Sequence, residues 1–228
     1  MSADANPWDE RYGSAEYYYG TEPNDFLRER APLIPVGGEV LCLGEGEGRN
    51  AVFLAGLGYR VTALDQSPVG LDKAQRLAAE KAVRIDTVVT DLAHYRIEAG
   101  RWAGIVSIWC HLPSALRPGV HRQIVAGLKP GGVLLLESYT PQQLAHGTGG
   151  PRSEDLLPTL AELRGNLHGL EFLHAEERER AVVEGRGHHG PSAVVQIVAR
   201  KLRRASRCSE SGADLPPSLV HNSGSSRS

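Results

Sequence analysis

The segment Val40–Ser67, VLCLGEGEGRNAVFLAGLGYRVTALDQS, constrains this chain more than any other. An apolar run from Val40 to Leu43 leads into glycines at Gly44, Gly46 and Gly48. A helix-like stretch follows from Asn50 to Leu57, then a second β-branched and apolar run that ends at Asp65. Strand, glycine turn, helix, strand and acid in that order form the front half of a nucleotide-binding βαβ unit. Glycine lets the backbone turn sharply and lets a ligand approach it, and a helix N-terminus favours polar or anionic groups. Asp65, at the tip of the second strand, stands where a carboxylate can accept hydrogen bonds from both hydroxyls of a ribose.

The spacing narrows the ligand. A dinucleotide fingerprint reads G-x-G-x-x-G, with the third glycine five residues after the first. Here Gly48 follows Gly44 by four, and the residues between the glycines are Glu45 and Glu47. Two carboxylates repel a pyrophosphate and suit a ligand with positive charge and an amino-acid end. S-adenosylmethionine carries a sulfonium, an ammonium, a carboxylate and a ribose, and fits this loop better than NAD. The alternative for both glutamates is a solvated loop charge.

A chain of 228 residues, 41% of them hydrophobic, suits one α/β domain with terminal additions. A formal charge of −2 argues against a nucleic-acid partner, which calls for a basic surplus. No apolar run is long enough for a bilayer, and MSADANPWDERYG lacks the basic and apolar regions of a signal peptide. The expectation is a cytoplasmic protein with neither membrane nor nucleic-acid partners. Three cysteines, Cys42, Cys110 and Cys208, lie far apart and indicate neither a disulfide framework nor a metal site.

Three regions are expected: an aromatic-rich N-terminal lid segment over 1–36, a main domain over 37–202, and a disordered serine-rich tail over 203–228. In the main domain strand signals fall near 39–44, 60–65, 85–90, 103–109, 132–139, 170–180 and 192–200. Helix signals fall near 48–57, 68–82, 114–128 and 153–168. Ser67-Pro68 reads as a cap followed by proline at the first helical position, and Lys129-Pro130-Gly131-Gly132 as a stop and turn. The alternation predicts a Rossmann-like, doubly wound and mostly parallel seven-stranded sheet. The last two strands lack a helix between them, and Gly185–Pro191 reads as the connection of an antiparallel hairpin.

With those residues in place, the chain resembles the class I S-adenosylmethionine-dependent methyltransferases. Within them it is similar to the bacterial small-molecule branch that includes the tellurite-resistance methyltransferases. The resemblance spans roughly residues 8–201 and rests on WDERY near Trp8, LGEGEGRNAVFLA at Leu43–Ala55, Asp65, Thr90-Asp91-Leu92, HLP at His111–Pro113 and LKPGGVLLLE at Leu128–Glu137. It implies that Gly44, Gly46 and Gly48 pass under the methionine end of the cofactor, that Asp65 holds the ribose, and that Gln66 lies beside the adenine. Asp91 then accepts from the adenine amino group with Leu92 nearby, and Ile108 to His111, Cys110 included, line the junction with the acceptor pocket. The family usually has an acid two residues before the first glycine; this chain has Cys42, and Glu45 is the candidate to take over its task. Asn50 at the helix start and the capping Ser67 complete the cofactor set.

Each remaining candidate has more than one reading. Trp8, Tyr12 and Tyr19 form a lid whose ring faces stabilise a sulfonium, hinged at Gly13 and Gly20, or they pack the first helix onto the sheet. His111 is a general base, a pocket ring or a loop brace. Cys110 reads as a small buried side chain rather than a nucleophile. In the hairpin connection His188 and His189, with Arg186, are candidates to bind an anionic acceptor or take a proton; a surface loop is the alternative. The acceptor is expected to be a small molecule, with a thiol or a sulfur, selenium or tellurium compound favoured because a soft nucleophile needs no strong base. The rival classes are a protein that binds the cofactor without catalysis and, less favoured, an NAD-dependent oxidoreductase.

Overall fold

The computed structural model of the protein describes residues 6–203. Its seven strands are β1 (Glu39–Leu43), β2 (Arg60–Asp65), β3 (Asp86–Val89), β4 (Trp102–Ile108), β5 (Leu128–Tyr139), β6 (Leu170–Glu184) and β7 (His188–Lys201). They form one sheet in the order β3-β2-β1-β4-β5-β7-β6. β1 to β5 are parallel, whereas β7 runs antiparallel to β5 and to β6. This is the doubly wound Rossmann-like α/β sheet with a C-terminal antiparallel hairpin that the alternating signals predict.

The helices are α1 (Pro7–Tyr12), α2 (Asp25–Arg30), α3 (Arg49–Gly56), α4 (Pro68–Glu80), α5 (Arg117–Gly127) and α6 (Leu160–Asn166). Side chains alternate across a strand, so each strand feeds two cores. Val40 and Cys42 of β1 pack with residues of α2, α3 and α4 on one face; Leu41 and Leu43 pack with residues of α5 and α6 on the other. The N-terminal segment belongs to the first core: Leu27 and Ala31 are fully buried there beside Phe26 and Ile34. Strand order reverses between β1 and β4, and in open α/β sheets the ligand crevice lies at that switch point, outside the carboxyl ends of the strands.

Several boundaries differ from the sequence expectation, and at four places the cause is local. β4 stops at Ile108 because Trp109 takes a left-handed φ of 55°. β5 starts at Leu128 rather than 132, since the Lys129–Gly132 turn is absorbed as an irregularity where Leu128 pairs Trp102 and Val133 pairs Gly104. The helix expected over 153–168 is a 3-10 turn at Glu154–Leu156 and then α6, because Pro158 interrupts it and Thr159 starts α6 by accepting from the Glu162 N–H. The hairpin connection is only Gly185 to Gly187, and His188 to Pro191 belong to β7. Ser67 does cap α4, accepting from the Gly70 N–H at 3.0 Å. Among the described residues no helix is long and apolar enough to cross a membrane, and no group of three or more His, Cys, Asp or Glu is placed to hold a metal. The serine-rich tail lies outside the described residues, apart from Arg203 at its start.

Candidate functional site

A cavity of about 1290 Å³ opens at the carboxyl ends of the parallel strands, and the glycine loop forms its floor. The loop follows β1 directly, with Gly44, Gly46 and Gly48 at φ of 61°, 60° and 91°, angles that disfavour any side chain. Only Gly44 of the three lines the cavity. A Cβ on Gly46 would lie 2.6 Å from the Tyr12 Oη, and one on Gly48 would lie 2.5 Å from the Ala74 Cβ. Gly46 and Gly48 are therefore covered by neighbouring side chains, and they serve the packing of the loop rather than its open face.

Asp65 ends β2 and is nearly buried. Its Oδ2 accepts from the Gly46 N–H at 2.8 Å, and its Oδ1 accepts from the Ser67 N–H at 2.8 Å. Each oxygen keeps a lone pair free, and the side chain lines the cavity. Burial raises its pKa, against the pull of those backbone donors. Ser67 itself is not at the cavity wall: its hydroxyl caps α4 and donates to Asp9 Oδ1 at 2.5 Å. Both of its hydrogen-bonding roles are used inside the fold, so the sequence placed it in the cofactor set wrongly.

Gly48 cannot cap α3, and Glu45 does so instead. Its Oε1 accepts from the Asn50 and Ala51 N–H groups at 3.0 and 2.8 Å. The donors that would attract a phosphate are thereby occupied by a carboxylate, which turns the helix start against a pyrophosphate and toward a cation. Burial holds Glu45 up at about 7, despite those hydrogen bonds. Cys42 is fully buried beneath it, its thiol pushed up by burial and by Glu45. Glu47 turns the other way. It pairs with Lys73 and accepts from the Tyr18 N–H at 2.7 Å, tying the N-terminal segment to α4.

That segment roofs the cavity through Trp8, Tyr12, Tyr18 and Tyr19 and packs on the glycine loop at the same time. Tyr12 is buried and stacks on Trp8 at 5.8 Å. Lys73 Nζ donates to the carbonyls of Tyr12, Ser14 and Glu16 at 3.3, 3.0 and 2.7 Å. Gly13 has a right-handed φ of −67°, so of the two glycines read as hinges only Gly20, at 73°, adopts a conformation that favours glycine. On the far wall stand Gln66, Asp91 and Leu92. Asp91 is exposed, and its Oδ1 accepts from the Ala93 N–H at 2.8 Å in a local turn. Asn50 also lines the cavity, with its Oδ1 accepting from the Asn24 N–H at 3.0 Å.

Ile108, Trp109, Cys110 and His111 continue the wall past β4. Burial pushes the Cys110 thiol up to about 12, which leaves it protonated and unreactive near neutrality. His111 Nδ1 lies 3.2 Å from the Ser138 Oγ, and burial first, with His188 next, holds the ring down at about 3. It is neutral and weakly basic.

The structure separates the hairpin candidates. Because β7 begins at His188, strand alternation turns His188 inward and His189 outward. His188 is buried and lines the cavity, 4.8 Å from the Tyr19 ring and 5.0 Å from the Trp109 ring; His189 is exposed. Arg186 is exposed on the hairpin turn, where it pairs with Glu16. Neither His189 nor Arg186 reaches the cavity.

The sequence reading missed the buried polar group behind this wall. Glu184 Oε2 accepts from Arg49 Nη2 and from Trp109 Nε1, both at 2.6 Å, and lies 3.4 Å from His188 Nδ1. Its Oε1 accepts from Asn24 Nδ2 at 2.8 Å, and the same amide donates to Glu137 at 2.6 Å. Glu137 is fully buried and also accepts from Arg180 and Gln196. The signal in the sequence was Glu137, an acid inside the apolar run of β5; Glu184 ends the charge-rich β6 and stands out less.

Residues 40–132 match the family model described as a methyltransferase domain. The chain is 32% identical over 99 residues to the 2-heptyl-1-hydroxyquinolin-4(1H)-one methyltransferase of Mycobacteroides abscessus, a match covering 42% of this chain and 44% of that protein. Among solved structures it is similar to that reported for conversion of a disulfide bond into a thioacetal group during echinomycin biosynthesis. There the TM-score is 0.67 and the identity 21%, over 86% of this chain and 89% of that one. It is also similar to TehB from Haemophilus influenzae, with a TM-score of 0.63 and 21% identity over 85% of this chain and 65% of that one.

Proposed function

We propose that this chain is a class I S-adenosylmethionine-dependent methyltransferase and that it methylates a small molecule whose nucleophilic atom gives up its proton readily near neutral pH. A thiol, or a related selenium or tellurium compound, is the favoured class. The observation that carries this reading is the weakness of every base on the acceptor side. His111 is held at about 3, His188 is lowered by burial, and Cys110 at about 12 offers no nucleophile. A general base works best with a pKa near the operating pH, so this wall suits an acceptor that ionises without help, as a soft thiol does more readily than a phenol or an alcohol.

The cofactor fits the donor set. Asp65 has lone pairs free for a ribose, and Glu45 presents negative charge where a sulfonium and an ammonium are attracted. S-adenosylmethionine held there would supply an electrophilic methyl group with its sulfonium sulfur as the leaving atom. The chain's part is to orient and exclude water. The glycine loop is fixed by Asp65 and Glu45, while Trp8, Tyr12 and Tyr19 roof the site. Such positioning is worth on the order of 7–11 kcal/mol of barrier. In this proposal the partners are the cofactor and a small acceptor, in the cytoplasm, without nucleic acid or membrane.

The test is transfer of labelled methyl to sulfide, simple thiols, selenite, tellurite, phenols and amines, alongside calorimetric binding of S-adenosylhomocysteine. Asp65→Asn keeps the shape and one acceptor oxygen, but it turns an amide NH2 toward one of the Gly46 and Ser67 N–H donors and lacks the charge; it is expected to bind S-adenosylhomocysteine about tenfold more weakly. Unchanged affinity in this variant would refute the ribose role. Turnover confined to amines would refute the soft-acceptor class.

A further inference from the structure

The carboxylates around the cavity lie to one side of it, while Arg11 and Arg49 also reach its wall. The carboxylates that face it, Glu45, Asp65 and Asp91, lie at or just past the ends of β1, β2 and β3. Beyond Ile108 the wall turns apolar: Trp109, Leu112, Leu116, Leu144 and Leu156 line it, with Arg152 the charged side chain on that side among the described residues. Gln143 also lies there, but its polar atoms are used inside the fold. Its Nε2 donates to Thr148 and Gly149, both at 3.1 Å, and its Oε1 accepts from the Ala193 N–H at 2.9 Å. His111 is neutral and layered with Trp109 and Tyr139, whose rings stack at 4.4 Å and 25°. The total volume of about 1290 Å³ exceeds the roughly 300–1,000 Å³ that houses one drug-sized ligand. A second molecule of substantial size has room beside the cofactor.

A bare sulfide or a small oxyanion gains little from such a wall, because it would exchange water for apolar surface and find few donors. A flat apolar body gains stacking on the aromatic layer and burial against the leucines. We propose that this half of the cavity is a subsite for an acceptor whose nucleophilic sulfur is carried on a fused-ring, apolar body, the arylthiol class. The proposal rests on the methyl-transfer reading above. Leu144, half-exposed at 46%, lies at the edge of this subsite, and Arg152 stands where an anion on the body's outer edge is attracted.

Two measurements test it. The first compares kcat/KM for naphthalene-2-thiol with that for sulfide and 2-mercaptoethanol. The second is calorimetric binding of the unreactive thioether 2-(methylthio)naphthalene to protein saturated with S-adenosylhomocysteine, which removes differences in thiol acidity. The arylthiol is expected to be the best of the three. The thioether should bind, and Leu144→Glu should weaken it about tenfold with S-adenosylhomocysteine affinity unchanged. Leu116→Glu is the second variant, checked for folding by that same cofactor-product affinity. Sulfide or 2-mercaptoethanol outrunning the arylthiol, or thioether binding indifferent to both variants, overturns the subsite and leaves methyl transfer standing. Failure of S-adenosylhomocysteine to bind at all overturns both.

Discussion

Glu184 holds the cofactor side and the acceptor side of the cavity together, and replacing it with glutamine has a calculable effect. One carboxylate joins Arg49 at the start of α3, Asn24 ahead of α2, Trp109 after β4 and His188 of β7. Burial alone would raise its pKa; the hydrogen bonds and charges of His188 and Arg49 outweigh burial and hold it at about 2, against an ordinary 4.5. At 1.36 kcal/mol per unit this is about 3 kcal/mol of stability. The unfolded chain takes up the proton near 4.5 and the folded chain only near 2. The contribution is therefore complete above about pH 4.5 and drains away as pH falls toward 2. An independent figure agrees: breaking a buried ion pair by removing one partner costs about 3–5 kcal/mol, here by leaving Arg49 buried without its carboxylate. Glu184→Gln should be less stable by that amount at pH 7 in urea unfolding followed by tryptophan fluorescence. The gap should narrow by about 1 kcal/mol at pH 3.5, where the wild type has begun to lose the same interaction. A difference that stays constant from pH 7 to pH 3.5 would refute the linkage argument.

Two further predictions concern the glycine loop. Gly48→Ala combines a left-handed backbone, about 1–2 kcal/mol, with overpacking against Ala74, about 1–3 kcal/mol. Gly58→Ala, at φ 88° with no atom within 4 Å of the new Cβ, carries only the first cost, so equal losses in the two urea midpoints would discount the Ala74 contact. Glu45 is lifted to about 7 by burial, so it is mostly protonated at pH 6 and mostly charged at pH 8. Affinity for S-adenosylhomocysteine, whose ammonium it would face, should rise toward tenfold over that interval; Glu45→Gln should flatten the profile, and a flat wild-type titration would remove Glu45 from the binding set.

What the sequence determined by itself is local and periodic. Apolar runs of strand length, the glycines before α3 and the Ser67-Pro68 cap are short-range physics, and they specified the βαβ core, the sheet class and the acid at the tip of β2 without tertiary information. The tertiary structure decided which of those residues face the cavity. Gly46 and Gly48 are conformationally required but covered, because Tyr12 and Ala74 come from elsewhere in the chain to fill the space a side chain would need. Ser67 was assigned to the ligand and belongs to α4. Of the two adjacent histidines only His188 faces inward, because the pairing register of β7 with β6 sets which of two neighbouring residues points to the core. The Glu184 group was invisible for a related reason. Its partners are 4, 75, 135 and 160 residues away in sequence, and only the pairing of β6 with β7 beside β5 brings them onto one carboxylate.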